Sequence, residues 1–75
     1  MTPLHEILIA AIEKATDEKA VHVNDEGCDH MFRVESVRTP YVFISKENPY
    51  IINVTEDSIT FNTAVYVEHL KENGL

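Results

Sequence analysis

The chain has 75 residues, 44% of them apolar, with thirteen Asp and Glu against six Lys and Arg and a formal net charge of −7. A chain this short forms one domain spanning 1–75 that buries only about 60% of the surface its unfolded form exposes, so a core leaves little room for a substrate pocket. The charge repels phosphates and lacks the basic face that anionic lipid requires, which argues against direct nucleic-acid binding and membrane attachment and in favour of basic proteins or cations as partners.

Leu4, Ile7, Leu8, Ala11, Ile12 and Ala15 recur at i, i+3, i+4, i+7, i+8 and i+11, one apolar stripe on a helix of period 3.6. Thr2 suits the N-cap, and Pro3 suits the first helical position, where its missing N–H has no intrahelical use. The spacing predicts a helix over residues 3–16, with Ile9 turned away from the stripe.

After a polar hinge at 16–20 the period changes to two. Val21 and Val23 are expected to point inward and His22 and Asn24 outward, followed by turn chemistry at Asn24-Asp25-Glu26-Gly27. Phe32 and Val34 alternate with Met31, Arg33 and Glu35, so residues 21–24 and 30–38 read as a hairpin. Pro40 interrupts the run, and the β-branched and aromatic stretch from Tyr41 to Ser45 is a further strand. Lys46 to Pro49 is a turn, 50–55 a strand, and Glu56-Asp57-Ser58 another turn. In the last third, Ile59, Phe61, Thr63, Val65 and Val67 keep a period of two, while Asn62 can cap a helix that ends at Asn73-Gly74-Leu75. The reading adopted is a strand over 58–62 and a helix over 63–73. The result is an α+β domain: a small antiparallel sheet of about four strands, an N-terminal amphipathic helix and a short C-terminal helix.

The longest apolar run, Ile7 to Ile12, has six residues and is flanked by Glu6 and Glu13. It is too short for a membrane helix or a signal-peptide core. A lone Cys28 makes no internal disulfide, which fits a reducing compartment, and a cytoplasmic location is expected. With glycine only at Gly27 and Gly74, no phosphate cradle is available and no cofactor is expected.

Two groups of residues could carry function. His22, Cys28 and His30 fall within nine residues beside Asp25, Glu26 and Asp29, a set of nitrogen, sulfur and oxygen donors that could hold a metal ion. The spacing fits no standard zinc pattern, and the same composition suits a solvated hairpin tip. A nucleophilic role for Cys28 is disfavoured because the surrounding acids oppose the thiolate. The second group is aromatic. Tyr41 and Phe43 share one face of their strand while Val42 and Ile44 share the other, so both faces are apolar and one needs cover. Tyr50 and Tyr66 read as surface residues whose rings cover the sheet and whose hydroxyls reach water.

Acid density is highest in two segments. Residues 17–30 hold five acids against one Lys, and residues 56–72 hold four against one. Solvated turns explain such runs, and so does a surface for a basic partner, up to imitation of nucleic-acid phosphates. The sequence therefore reads as a non-enzymatic acidic interaction module for another protein, itself basic or nucleic-acid-binding. Its contact set is Tyr41, Phe43, Tyr50, Asp25, Glu26, Asp29, Glu56 and Asp57. Small acidic domains of this kind serve as accessory or inhibitory factors, including those of mobile elements. Self-assembly into a homo-oligomer such as a homodimer, through a sheet face or edge, is the alternative. A metal-binding site at His22, Cys28 and His30 is the third reading.

Residues 7–37, a helix followed by Val21-His22-Val23 and His30-Met31-Phe32-Arg33-Val34, resemble the opening of BolA-like proteins. Beyond Val37 the family's Gly-containing loop and basic, His-bearing helix have no counterpart, so no residue role follows from the resemblance.

Overall fold

The computed structural model describes residues 3–25, 27–36, 40–55 and 61–75. The elements are α1 (Pro3–Thr16), β1 (Ala20–Asn24), β2 (Asp29–Val34), β3 (Tyr41–Ser45), β4 (Ile52–Val54) and α2 (Thr63–Glu72). The strands form one antiparallel sheet in the order β1-β2-β3-β4, a meander with no crossover. Where the BolA-like pattern would continue into a helix after the hairpin, this chain instead adds β3 and β4.

The stripe of α1 supplies Leu8, Ala11, Ile12 and Ala15 to a fully or nearly fully buried cluster. Phe32 and Val34 of β2, Val42 and Ile44 of β3, and Tyr66 and Leu70 of α2 complete it with Ala20. Because side chains alternate along a strand, these residues define the inner face of the sheet, which α1 covers, with α2 packed against α1. Burying each large member contributes roughly 1.5–3 kcal/mol before conformational entropy is counted.

Several hydrogen bonds fix the geometry between elements. The chain leaves α1 through Asp17 at a positive φ of 58°, with the Asp17 N–H donating to the Glu13 carbonyl at 2.8 Å. The Glu13 carboxylate then accepts from the Ala20 N–H at 3.0 Å, joining α1 to the start of β1. At the far end, the Asn62 side chain accepts from the Val65 N–H at 3.3 Å, and the Asn62 N–H donates to the Ala15 carbonyl at 2.9 Å. That cap settles residues 63–67 as helix, because it satisfies a donor the first turn leaves open. α2 ends in a Schellman arrangement: Gly74 at φ 79° donates to the Lys71 carbonyl, and Leu75 donates to that of Leu70.

Two expectations change. Val21 and Val23 do not line the core; Val21 is half-buried and Val23 is 41% exposed. Ala20 pairs with Val34 and His22 with Phe32, so Ala20 and His22 are the inward residues, and an irregularity between His22 and Asn24 returns Asn24 to the outer face opposite Met31. Tyr66 is not a surface residue: its ring is fully buried and its hydroxyl donates to the Pro49 carbonyl at 2.6 Å. Residues 58–60 of the strand expected over 58–62 lie outside the described residues; Phe61 and Asn62 lead into α2 without strand structure.

Candidate functional site

At one end of the inner face, four polar side chains from four segments converge. His5 comes from the first turn of α1, three residues before Leu8 and seven before Ile12, so it heads the buried row of that helix. His22 is, with Ala20, an inward residue of β1, and His30 belongs to the inward set of β2 with Phe32 and Val34. Asp25 follows β1 in the hairpin connection.

The Asp25 carboxylate is the centre of this group. His22 Nε2 donates to Asp25 Oδ1 at 2.8 Å and His30 Nδ1 donates to the same oxygen at 2.6 Å. His5 Nε2 lies 2.9 Å from Oδ2. The His5 and His22 rings stack with centroids 4.2 Å apart, and His30 meets His5 edge-on at 5.1 Å. All three imidazoles border the buried ring of Phe32, with centroids 5.3–6.5 Å from it. The histidine side chains retain 12–26% of their exposure and Asp25 34%, so the cluster is recessed but open to solvent on the carboxylate side. Burial pushes the Asp25 carboxyl up, but hydrogen bonds from His30 and His22, with the charges of His22 and His5, outweigh it and hold the group well below the usual carboxylate range. Lys46 donates from Nζ to the Asp25 main-chain carbonyl, anchoring the connection from the β3 side.

Of the three donors read from the sequence, His22 and His30 meet at Asp25 while Cys28 is exposed and stands outside the group. His5 was missed because it lies far from the hairpin in sequence. Its signal was a polar residue in register with Leu8 and Ile12 on a helix whose buried face was otherwise apolar.

The aromatic set divides differently. Tyr41 and Phe43 do share the outer face, opposite Arg33 and Met31 respectively, and Asp29 lies on the same face opposite Ser45. Asn53 of β4 pairs with Phe43, and Val21 of β1 pairs with Arg33, extending that face over all four strands. Arg33 is 3.7 Å from the Glu35 carboxylate, so the one cation among these residues sits beside an acid. Tyr50 belongs elsewhere: its ring packs against the core and its hydroxyl donates to the Leu75 carbonyl at 2.5 Å. Asp25 faces the histidines rather than this surface. Glu26, Glu56 and Asp57 lie outside the described residues.

No helix among the described residues is long and apolar enough to cross a membrane. No family model, curated protein or solved structure matches the chain.

Proposed function

We propose that the chain is a non-enzymatic protein-interaction module that uses the outer face of its sheet to bind a basic protein. The observation that carries this reading is the composition of that face. Val21, Met31, Tyr41 and Phe43 form a half-buried apolar and aromatic patch on the side of the sheet away from both helices. Aromatic residues and Met are enriched at the centres of protein interfaces, where rigid rings supply contact area at low entropic cost. Asp29 and Glu35 border the patch, and the molecule carries a net charge of −7, so the rim favours a cationic partner and disfavours an acidic one.

On this reading the protein is an accessory or inhibitory factor, for which occupation of a basic surface on a partner is sufficient action. Co-purification from a host lysate across a salt series tests it. A discrete partner that is retained at low ionic strength, released by moderate salt and lost with Phe43→Asp supports the reading. If the face instead binds a second copy, light scattering at micromolar concentration gives a dimer that Phe43→Asp converts to monomer. A monomer with no partner at any ionic strength refutes both.

A further inference from the structure

We propose that His5, Asp25 and His30 bind a divalent first-row transition-metal ion of the zinc class, with His22 holding Asp25 in place from behind. One ligand atom from each of the three residues can be chosen so that all lie within 4.8 Å of one another. Two imidazoles and a carboxylate form a donor set that zinc and its neighbours accept, leaving a further position for water or a partner's side chain.

The spacing between each imidazole and the carboxylate suits a metal ion. Around a tetrahedral ion with bonds of about 2.0–2.1 Å, ligand atoms sit roughly 3.3 Å apart. His5 Nε2 and His30 Nδ1 now stand 2.9 Å and 2.6 Å from the Asp25 oxygens, so entry of the ion opens these separations by less than about 1 Å. The hydrogen bond from His30 and the 2.9 Å contact of His5 with Asp25 are exchanged for coordination bonds. The hydrogen bond from His22 Nε2 to Oδ1 at 2.8 Å remains and orients the carboxylate as supporting hydrogen bonds do in metal sites. Phe32 supplies a dry floor, and the acidic net charge draws cations toward the opening.

The convergence has a structural motive. His5 and His22 are stacked with ring centroids 4.2 Å apart, which holds the His5 ring against β1 beside the Asp25 carboxylate. An ion held by His5 and His30 places its positive charge beside the Asp25 carboxylate, where it is matched. The ligands come from α1, the β1–β2 connection and β2, so the ion ties the first helix to the hairpin.

Untagged full-length protein, stripped with chelator, is titrated with zinc by calorimetry and with cobalt by visible absorption. The expected result is one ion per chain, a melting temperature that rises with zinc, and a cobalt spectrum of a low-symmetry nitrogen and oxygen site. His5→Ala and His30→Ala abolish stoichiometric binding. His22→Ala weakens it about 10–100-fold, the usual loss on removing a support behind a ligand. Cys28→Ser leaves it unchanged. Any variant with lost secondary structure is replaced by Asp25→Asn, which keeps the shape and removes the charged ligand. Absence of a 1:1 site, binding indifferent to His5 and His30, or loss with Cys28→Ser overturns the proposal.

Discussion

The His5 ring in the first turn of α1 lies on the His22 ring of β1, with centroids 4.2 Å apart and planes inclined by 26°. Both also contact Asp25, so the start of the first helix is fastened to the hairpin by a stack and a shared acid. A stacked ring pair contributes about 0.5–1.5 kcal/mol beyond its buried area. A double-mutant cycle with His5→Ala and His22→Ala, measured by urea denaturation in chelator, should give a coupling of that size. Additive losses would show that the two rings are coupled neither by the stack nor through Asp25.

Neighbouring residues of β3 should respond oppositely to truncation. Ile44 is fully buried on the inner face, whereas Phe43 is half-buried on the outer face opposite Met31. Ile44→Ala removes core volume and should cost about 2–5 kcal/mol. Phe43→Thr keeps a strand-forming residue and should cost under about 1 kcal/mol while weakening partner capture. Equal losses at the two positions would mean that the outer face is covered within the chain itself.

Most of the architecture was legible because it rests on periodicity. The apolar stripe of α1 and the alternation of β2 and β3 each have one dominant solution, and Asn62 tips an ambiguous segment into α2. β1 was misread because hydrophobicity was weighed residue by residue: Val21 and Val23 outrank Ala20 and His22 on any scale. Yet small Ala20 fits beside α1, and His22 can bury its ring on Phe32 while its nitrogen reaches Asp25. Tyr66 was misread for a related reason. A tyrosine looks like a surface residue until a specific acceptor, here the Pro49 carbonyl, takes its hydroxyl. The candidate site was half visible, since His22, Asp25 and His30 lie within nine residues, but His5 joins them only after α1 has folded onto the sheet.

The helix ends offer an independent test of local chemistry. Asn62→Ala removes the acceptor for the Val65 N–H and should cost about 1 kcal/mol. Asp17 is the one described non-glycine residue at positive φ, so Asp17→Gly should stabilise by up to about 1 kcal/mol and Asp17→Val should destabilise. Thermal denaturation of the three variants at one pH decides the matter; a loss with Asp17→Gly would mean that the aspartate side chain itself holds the turn.

Tyr66 should give the protein a sensitivity to alkali. Burial, with a smaller contribution from Tyr50, raises its hydroxyl well above the ordinary tyrosine range. A group whose folded pKa is raised contributes stability that is whole below its unfolded value, about 10, and is lost as pH climbs from there toward the folded value. At neutral pH, Tyr66→Phe removes the bond to Pro49 and leaves a carbonyl without that donor, a cost of about 1–2 kcal/mol. Above pH 10 the unfolded wild-type chain releases the Tyr66 proton while the folded chain retains it. The difference between the two proteins should therefore shrink by up to about 1.4 kcal/mol per pH unit. Other tyrosines and lysines titrate in both proteins alike and cancel in the comparison. Urea denaturation of the pair at pH 7, 9, 10 and 11 measures the gap directly, and a gap that stays constant to pH 11 would show that the Tyr66 hydroxyl ionises as freely in the folded protein as in the unfolded chain.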